Sequence, residues 1–400
     1  MSIIKHIGNN LILWMIAQMR RLTALTSIFF FMIFTGCGGS TSDSITPPTS
    51  PPPPVVEKRS FYMGFTPWLY EASLAAISTT YSRISTHGDM IKHHIQGGIP
   101  WQEALDGTAY HANVEAELNG RINNTAAGTQ IFLAIDSLNS ARDALSPNWG
   151  ESDNQPLSGD WASRTWSSPE VIAAYINFAS DMIDRFQPTY FDYATEISEL
   201  ILNNPSGYSD FIIFAQAVHS SLSSLYPNLK LMTSVALKSP NSNEMQLIEA
   251  SYGQIMPYTD VLGVSVYPYA FFNHSDRGDP TNMPSNWLSQ ITSIAGNKPL
   301  AITETGWIAE DLEIIDFQYS EQSDQTKQNA YATKMLQAAV DLDMEFVIWW
   351  TTTDFDTLWN NELAQDPIAK IWKDIGLYDE NQNMRSALQT WDEWLAKQLE

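Results

Sequence analysis

The sequence predicts an α/β fold, a single (β/α)8 TIM barrel that follows a signal peptide and a proline-rich linker. From Phe61 onward, short β-branched or aromatic runs alternate with longer amphipathic stretches. This rhythm is typical of strands that alternate with helices around a parallel sheet. Eight such units occur, which is the number that closes a barrel, and polar residues stand where several strands end. A doubly wound open sheet is the alternative fold.

The predicted strands are short and rich in the residues that favour extended backbone. They span residues 61–66, 83–86, 130–135, 190–195, 229–235, 261–267, 300–303 and 346–350. The predicted helices span residues 72–80, 114–122, 169–186, 208–225, 244–255, 286–294, 325–342 and 385–398. Ser168 before Pro169 is a helix-start signal, because a capping residue precedes a first-turn proline. One domain over residues 60–400 therefore accounts for all eight units.

Residues 1–36 have the features of an export signal, since Arg20 and Arg21 precede a short apolar run over residues 22–34. The segment Phe34-Thr35-Gly36-Cys37 resembles a bacterial lipobox, which implies that Cys37 carries a lipid. A membrane-spanning helix over residues 11–34 is the alternative, but the two arginines leave neither half with about 20 apolar residues. We expect an exported protein anchored by lipid in the bacterial cell envelope, at the outer membrane or cell surface. Met19 is a second candidate start.

Residues 37–59 are rich in Ser, Thr and Pro, and this composition predicts a stiff polyproline spacer. The chain has 45 acidic and 21 basic residues, a formal charge of -24, which repels a phosphate backbone and argues against a nucleic-acid partner. Its single Cys excludes an internal disulfide. We expect a monomer that contacts the membrane only through its lipid anchor.

Two carboxylates stand at the ends of the fourth and seventh predicted strands. Glu196 ends the run Tyr190–Glu196, and Glu304 ends Leu300–Glu304. Active sites of barrels lie at the C-terminal ends of the strands, so both residues are candidates for chemistry. An ionised Glu at the end of a buried strand is costly unless it is paired or used. The alternative is a pair of surface glutamates just beyond their strands.

The segment Ile302-Thr303-Glu304-Thr305-Gly306-Trp307 resembles the nucleophile motif of clan A retaining glycoside hydrolases. It is most similar to the endo-β-1,4-galactanase (arabinogalactanase) group. Gly263–Tyr269 resembles the sixth strand of that clan, whose Tyr contacts the nucleophile, and Phe346–Trp350 resembles its eighth strand, whose Trp lies under the reacting sugar. The resemblance covers residues 185–395. Thr195 stands where the clan usually has Asn before its acid/base residue.

The resemblance implies a retaining glycosidase for β-linked poly- or oligosaccharides, with Glu304 as nucleophile and Glu196 as acid/base. Their carboxyl groups would then lie about 5–5.5 Å apart. Glu199 is a rival for the acid/base role, with a solvated helix surface as its other interpretation. Residues expected to contact sugar or to support the pair are Trp68, His87, Asp89, Asp136, Tyr267, Trp307 and Trp350. Any single Trp among them has core packing as its alternative role.

Two further interpretations stay open from the sequence. His87, Asp89, His93, His94 and Asp136 are residue types that bind metals, but they lack a paired-His spacing, so we predict no metal site. No cofactor is predicted, since the chain has no phosphate-binding loop, dinucleotide fingerprint or Gly-x-Ser-x-Gly motif. A non-catalytic carbohydrate-binding lipoprotein on a degenerate barrel is the alternative function, because a fold alone does not fix an activity.

Overall fold

The structure is a computed structural model that describes residues 58–400. Eight parallel strands form a closed barrel, in which the eighth strand pairs with the first as well as with the seventh. We number these barrel strands first to eighth along the chain: Tyr62–Phe65, Met90–Ile95, Gln130–Ile135, Tyr190–Ala194, Lys230–Ala236, Val261–Val266, Leu300–Thr305 and Met344–Trp349. The predicted (β/α)8 barrel is confirmed, and the open sheet is excluded.

The α-helices of the described range follow the strands and cover the outside of the barrel. They span Leu74–His87, Trp101–Asp106, Ala112–Asn124, Pro169–Phe186, Ser198–Asn203, Pro205–Leu225, Asn243–Tyr252, Pro268–Phe271, Thr292–Ala295, Gln325–Asp341, Asp356–Asn361 and Ser386–Leu395. The predicted helix over residues 286–294 is shorter in the structure, where a 3-10 turn, Ser289–Ile291, leads into Thr292–Ala295. None of the helices within residues 58–400 combines the length and hydropathy that crossing a bilayer requires.

The prediction of the second strand was wrong. Residues 83–86 belong to the helix Leu74–His87, and the second strand is Met90–Ile95. All six residues of that strand are buried, although three of them are Lys92, His93 and His94. Because this buried strand contains polar residues, a search for runs of β-branched residues does not find it. The residues just before Met90 therefore lie at the N-terminal end of the barrel.

Inside the barrel, apolar side chains fill the layer near the N-terminal ends of the strands. This layer consists of Met90, Phe132, Ala134, Tyr190, Met232, Val261, Ala301, Phe346 and Ile348. Side chains alternate between the two faces of a strand, so the residue two positions further on points inward as well. Those next inward positions hold Lys92, Asp192 and Ser234. The interior thus changes from apolar to polar toward the C-terminal end.

Two segments outside the barrel frame it. Lys58 and Arg59, which the sequence analysis assigns to the linker, pair in parallel with Gln398–Leu399. An antiparallel hairpin follows the seventh strand, with Leu312–Ile314 paired to Tyr319–Glu321. The predicted signal peptide, Cys37 and the remainder of the linker lie outside the described residues.

Asp89 connects the first two strands at the N-terminal end of the barrel. Its Oδ1 accepts a hydrogen bond of 2.7 Å from the Met63 N–H, and its Oδ2 pairs with the Arg59 guanidinium. Arg59 is buried and also donates to the Phe61 carbonyl. Asp89 therefore has a structural environment far from the ends of the strands that would carry a barrel active site.

Replacing Asp89 should destabilise the fold. We expect Asp89→Ala to lower the free energy of unfolding by about 1–3 kcal/mol, because it leaves the buried Arg59 without its carboxylate partner. Urea unfolding followed by tryptophan fluorescence measures the change. Asp316→Ala, at an exposed position of the hairpin, is the matched control. Equal unfolding free energies for the two variants would contradict the structural role of Asp89.

Candidate active site

Glu196 and Glu304 both lie at the C-terminal end of the barrel. Glu304 is the fifth residue of the seventh strand, and Glu196 follows the fourth strand by two residues. Both side chains are partly accessible, with 15% of Glu304 and 25% of Glu196 exposed. The charge of Glu196 helps to raise the pKa of the Tyr267 hydroxyl, and this hydroxyl donates a hydrogen bond to Glu304. The two predicted carboxylates thus belong to one site.

A β-bulge precedes each of these carboxylates. On the seventh strand, Ile302 pairs with Val264 but Glu304 pairs with Ser265, so one extra residue is inserted. On the fourth strand, the register shifts in the same way between Asp192 and Ala194. A bulge bends its strand and changes the direction of the side chains that follow. Local irregularity in these two strands therefore positions both glutamates.

Glu304 has one donor for each carboxylate oxygen. The Lys92 ammonium lies 2.8 Å from Oε2, and the Tyr267 hydroxyl donates to Oε1 at 2.8 Å. Burial by itself would raise the pKa of Glu304, but the charges of Lys92 and His94 and these two hydrogen bonds outweigh it. The net pKa is below the ordinary glutamate value, so Glu304 is ionised at neutral pH.

Lys92 is the residue that sequence analysis missed. It is 1% exposed and stands on the second strand, which the sequence analysis placed elsewhere. The available signal was the period-two alternation of Met90, Lys92 and His94 after Gly88 ends a helix. This alternation puts a lysine on the inward face of a strand, where it needs an anionic partner.

A second set of charges leads from the barrel interior to Glu196. His94 Nε2 lies 2.8 Å from Asp136 Oδ1, and Arg142 Nη1 donates to Asp136 Oδ2 at 2.7 Å. The same guanidinium approaches Glu196 Oε2 at 3.4 Å through Nε and Nη2. Although burial opposes its ionisation, Arg142 and His94 hold the pKa of Asp136 well below its usual range. Asp136 is thus a buried ion-pair residue rather than a free group at the rim.

The three predicted tryptophans have different environments. Trp307 is buried, stacks on Tyr331 with ring centroids 4.6 Å apart, and donates its indole N–H to the Gly278 carbonyl. It is therefore a core residue. Trp68 and Trp350 are partly exposed and pack against each other with centroids 4.9 Å apart. These two are the members of the set that lie at the mouth of the barrel.

An aromatic row continues from this pair across the mouth of the barrel. We use this name for Trp68, Trp350, Trp372 and Phe271, whose successive ring centroids lie 4.9, 6.0 and 6.3 Å apart. Trp372 also contacts Tyr267 edge-on at 5.9 Å, which places the row beside Glu304. The row ends at Phe271, which is 42% exposed. Trp372 and Phe271 were not predicted from the sequence, because neither stands at the end of a strand: Phe271 ends the helix Pro268–Phe271, and Trp372 ends the 3-10 helix Ala369–Trp372.

The structure does not bring His87 and Asp89 to this site. Both precede the second strand, and His87 instead bonds to Asp392 at 2.8 Å and Tyr378 at 2.9 Å. The prediction that they contact sugar depended on the misplaced strand and was wrong. Glu199 lies near Glu196 but forms an ion pair of 2.6 Å with Lys238. Burial is the main cause that raises the pKa of Glu199.

The histidines considered for metal binding point to different surroundings. His94 faces the interior with Asp136, whereas His93 bonds to Thr125 on the outer side. Within residues 58–400, the group of side chains close enough to share a cation is Glu310, Asp354 and Glu380. Arg385 already pairs with Glu310 and Asp354, so a protein cation occupies that cluster.

Comparisons with known proteins identify neighbours by fold. A scan against protein-family models and a search of curated proteins gave no match. Among solved structures, an exo-β-1,4-mannosidase from Opitutaceae bacterium strain TAV5 has a TM-score of 0.58 and 13% identity, over 85% of this chain and 59% of that chain. This chain therefore spans less than two thirds of that mannosidase.

Two further neighbours are covered almost fully. The GH53 catalytic domain of Ignisphaera aggregans has a TM-score of 0.53 and 13% identity, over 80% of this chain and 87% of that chain. A psychrophilic glycoside hydrolase family 10 endo-β-1,4-xylanase has a TM-score of 0.50 and 12% identity, over 83% and 96%. At such identities the likeness shows that the barrel fold is shared.

Removing the Lys92 charge should make stability depend on pH through Glu304. At about pH 7 we expect Lys92→Met to lose about 3–5 kcal/mol of unfolding free energy, because it leaves a buried carboxylate unpaired. The depressed pKa of Glu304 stabilises the native chain above the ordinary glutamate pKa, and this stabilisation is lost as the pH falls through the folded value. The deficit of the variant should therefore begin to shrink at about pH 4.5 and be smaller at about pH 3.

Urea unfolding at about pH 7 and at about pH 3 measures this deficit, and Glu304→Gln provides the control background. In that background the pH-dependent part of the Lys92→Met deficit should disappear. A deficit that stays constant with pH in both backgrounds would contradict the pairing.

Proposed function

We propose that this chain is a retaining glycoside hydrolase that cleaves β-linked poly- or oligosaccharides. The observation that supports this proposal best is the clamp on Glu304. A buried ammonium and a tyrosine hydroxyl each bind one oxygen of a carboxylate at the C-terminal end of the barrel. A nucleophile for an anomeric carbon must be ionised, and this environment keeps Glu304 ionised.

The two glutamates suit different steps of a double displacement. In the first step, a Glu304 oxygen forms a bond to the anomeric carbon while the glycosidic C–O bond breaks. The leaving oxygen takes its proton from Glu196. In the second step, Glu196 removes a proton from water, the water oxygen attacks the anomeric carbon, and Glu304 leaves as a carboxylate. Glu196 is the more exposed of the pair, so it can exchange protons with solvent between turnovers.

Lys92 would act mainly on the second of these two steps. The glycosyl ester of Glu304 is neutral, so the ammonium loses its counter-charge while the covalent intermediate exists. Lys92 stabilises the departing carboxylate more than the ester, which favours breakdown of the intermediate. Because the same charge also stabilises the resting carboxylate, its largest benefit falls on the second step.

The aromatic row supports a substrate that has several sugars. Aromatic rings offer apolar faces to the C–H surfaces of sugars. The row passes beside Tyr267, the partner of Glu304, and ends at an exposed ring. A glycan chain bound at Glu304 would follow the row.

A second candidate function is carbohydrate binding without cleavage. Thr195 supports it, because Asn is usual at this position in the clan that the sequence resembles. The Thr195 side chain is buried and its hydroxyl has no hydrogen-bond partner within the described range, so it does not reproduce an exposed amide. In that case the aromatic row would hold a glycan that Glu196 and Glu304 do not hydrolyse.

We also propose that the protein acts outside the cytoplasm, anchored through a lipid on Cys37. This proposal is supported by the signal-like residues 1–36 and by the lipobox-like segment that ends at Cys37. An enzyme for large external glycans would need such a location, because polysaccharides do not enter the cell before cleavage.

The first test replaces each glutamate and supplies azide. Glu304→Gly should abolish release of reducing sugar from β-glycans, and azide should restore turnover with an α-glycosyl azide as product. Glu196→Ala should lower the rate of hydrolysis of natural glycans by about 10²–10⁴-fold. With this variant, azide should give the β-glycosyl azide. The Glu199→Ala variant is the matched control and should keep its activity.

A panel of β-glycans with product analysis decides between the two functions. Sugar release by the unaltered protein supports the hydrolase. Binding without release by the unaltered protein and by Glu196→Gln would favour the carbohydrate-binding alternative.

The second test concerns the length of the substrate. We expect Trp372→Ala and Phe271→Ala to lower kcat/KM for long oligosaccharides by roughly 10-fold, since one aromatic contact contributes about 0.5–1.5 kcal/mol. The kcat/KM for an aryl monoglycoside should not change. Phe317→Ala is the control, because Phe317 is 52% exposed and lies on the hairpin outside the row. Equal losses on long and short substrates would contradict the proposed track.

A further inference from the structure

We propose that Ser234 and Asp192 are positioning residues that fix the direction of the Glu196 side chain. The proposal rests on the function proposed above, since it concerns the group that protonates the leaving oxygen. Neither residue belongs to the pair of carboxylates or to the charges that contact them. Both face the polar layer inside the barrel and act on Glu196 through its backbone.

The backbone at Glu196 has a conformation that needs external support. Its φ angle is +52°, in the left-handed region that a non-glycine residue enters at a cost of about 1–2 kcal/mol. The bulge between Asp192 and Ala194 lies directly before it. Such a conformation persists only where surrounding contacts hold it, and it is found most often at functional sites.

One carboxylate supplies that support by accepting two hydrogen bonds. The Glu196 N–H donates to the Ser234 Oγ at 2.9 Å, and the Ser234 hydroxyl donates to Asp192 Oδ2 at 2.8 Å. The other oxygen, Oδ1, accepts the Ala194 N–H at 2.9 Å. Asp192 therefore holds the segment at two points, directly at Ala194 and through Ser234 at Glu196.

The burial of Asp192 indicates that these contacts have a use. Asp192 is fully buried, and within residues 58–400 no lysine or arginine nitrogen lies in salt-bridge contact with it. Burial raises the pKa of Asp192 to about 7, and the hydrogen bonds from Ser234 and Ala194, with the more distant Lys92 charge, only partly oppose this. A buried carboxyl without a contacting cation costs stability. An apolar residue would fill the same position with less cost, but it would not accept the two hydrogen bonds.

Small errors in the direction of Glu196 would be costly for proton transfer. A general acid must lie within hydrogen-bond reach of the leaving oxygen, and displacement by about 1 Å can lower a rate by 10²-fold. Within residues 58–400, the side chain of Glu196 has no short hydrogen bond, because Arg142 approaches it only at 3.4 Å. Its direction is therefore set mainly by the backbone from which it projects.

The experiment uses the dependence of the rate on the leaving group. The dinitrophenolate of a dinitrophenyl glycoside leaves without protonation. The leaving oxygen of a phenyl glycoside or a natural glycan needs a proton from the acid. We expect Ser234→Ala to lower kcat/KM about 10²-fold for the phenyl glycoside and less than about threefold for the dinitrophenyl glycoside. Ser234→Thr keeps the hydroxyl and should restore most of the activity. Asp192→Asn, which removes one acceptor, should show the same selective loss.

The control is Thr233→Val on the neighbouring position of the same strand. The Thr233 hydroxyl is also buried, but it bonds to Tyr252 and Thr259 on the outer side of the barrel. A purely structural loss would lower both rates equally in all variants, and that result would overturn the proposal. No change in Ser234→Ala and Asp192→Asn would overturn it as well. Should Ser234→Ala not fold, Asp192→Asn and Ser234→Thr give the same comparison.

Failure of the proposed function is distinguishable from failure of this inference. If the unaltered protein cleaves none of the glycosides, the hydrolase function fails. If it cleaves them and the Ser234 and Asp192 variants keep the ratio between the two substrates, only the positioning role fails.

Discussion

The ion pair between Lys92 and Glu304 is the interaction on which the organisation of this barrel depends. Both groups face the interior of the barrel, where the layer near the N-terminal ends of the strands is apolar. The ammonium has almost no contact with solvent. Removing two charges from water is unfavourable, and their attraction compensates only when the remaining donors and acceptors are also satisfied. The Tyr267 hydroxyl supplies the second hydrogen bond to Glu304.

The charges around this pair alternate in sign through the polar layer. Arg142 stands between Asp136 and Glu196, and Asp136 in turn contacts His94. Such alternation lets a strongly acidic chain hold ionised groups close together. It also gives the two glutamates unlike environments, because Glu304 has a donor on each oxygen while Glu196 is more exposed and only loosely approached. Unlike environments are what an acid and a nucleophile require from chemically identical side chains.

Local patterns in the sequence were enough to predict the barrel and the strands that carry both glutamates. They failed at the second strand, where Lys92, His93 and His94 are buried in spite of their polarity. Their partners are distant in the sequence, since Glu304 lies 212 residues from Lys92, Asp136 lies 42 residues from His94 and Thr125 lies 32 residues from His93, and no local pattern displays such pairs. Trp307 and Trp350 raise the same difficulty, since both follow strands and only the packing partners assign one to the core and the other to the mouth.

The bulges on the fourth and seventh strands were equally hidden from the sequence, yet they determine how the site works. An ideal strand would alternate strictly, and the side chain of Glu304, which follows the inward Thr303, would point outward. The inserted residues change this alternation just before Glu304 and Glu196. Bulges and a left-handed backbone at Glu196 weaken the sheet, so they are difficult to explain by stability alone.

The clamp on Glu304 also bears on the choice between cleavage and simple binding of sugars. Neutral hydroxyl groups are bound well by neutral hydrogen-bonding groups and aromatic faces, and neither needs a buried ammonium. Replacing a buried ion pair by apolar residues of similar volume is often neutral or stabilising. A binding protein would therefore gain little from Lys92 and Glu304. A nucleophile gains from both, because the ammonium keeps the carboxylate ionised at rest and favours its departure from the covalent intermediate. The charge pair that is hardest to justify by stability is thus the one that double displacement uses in both steps.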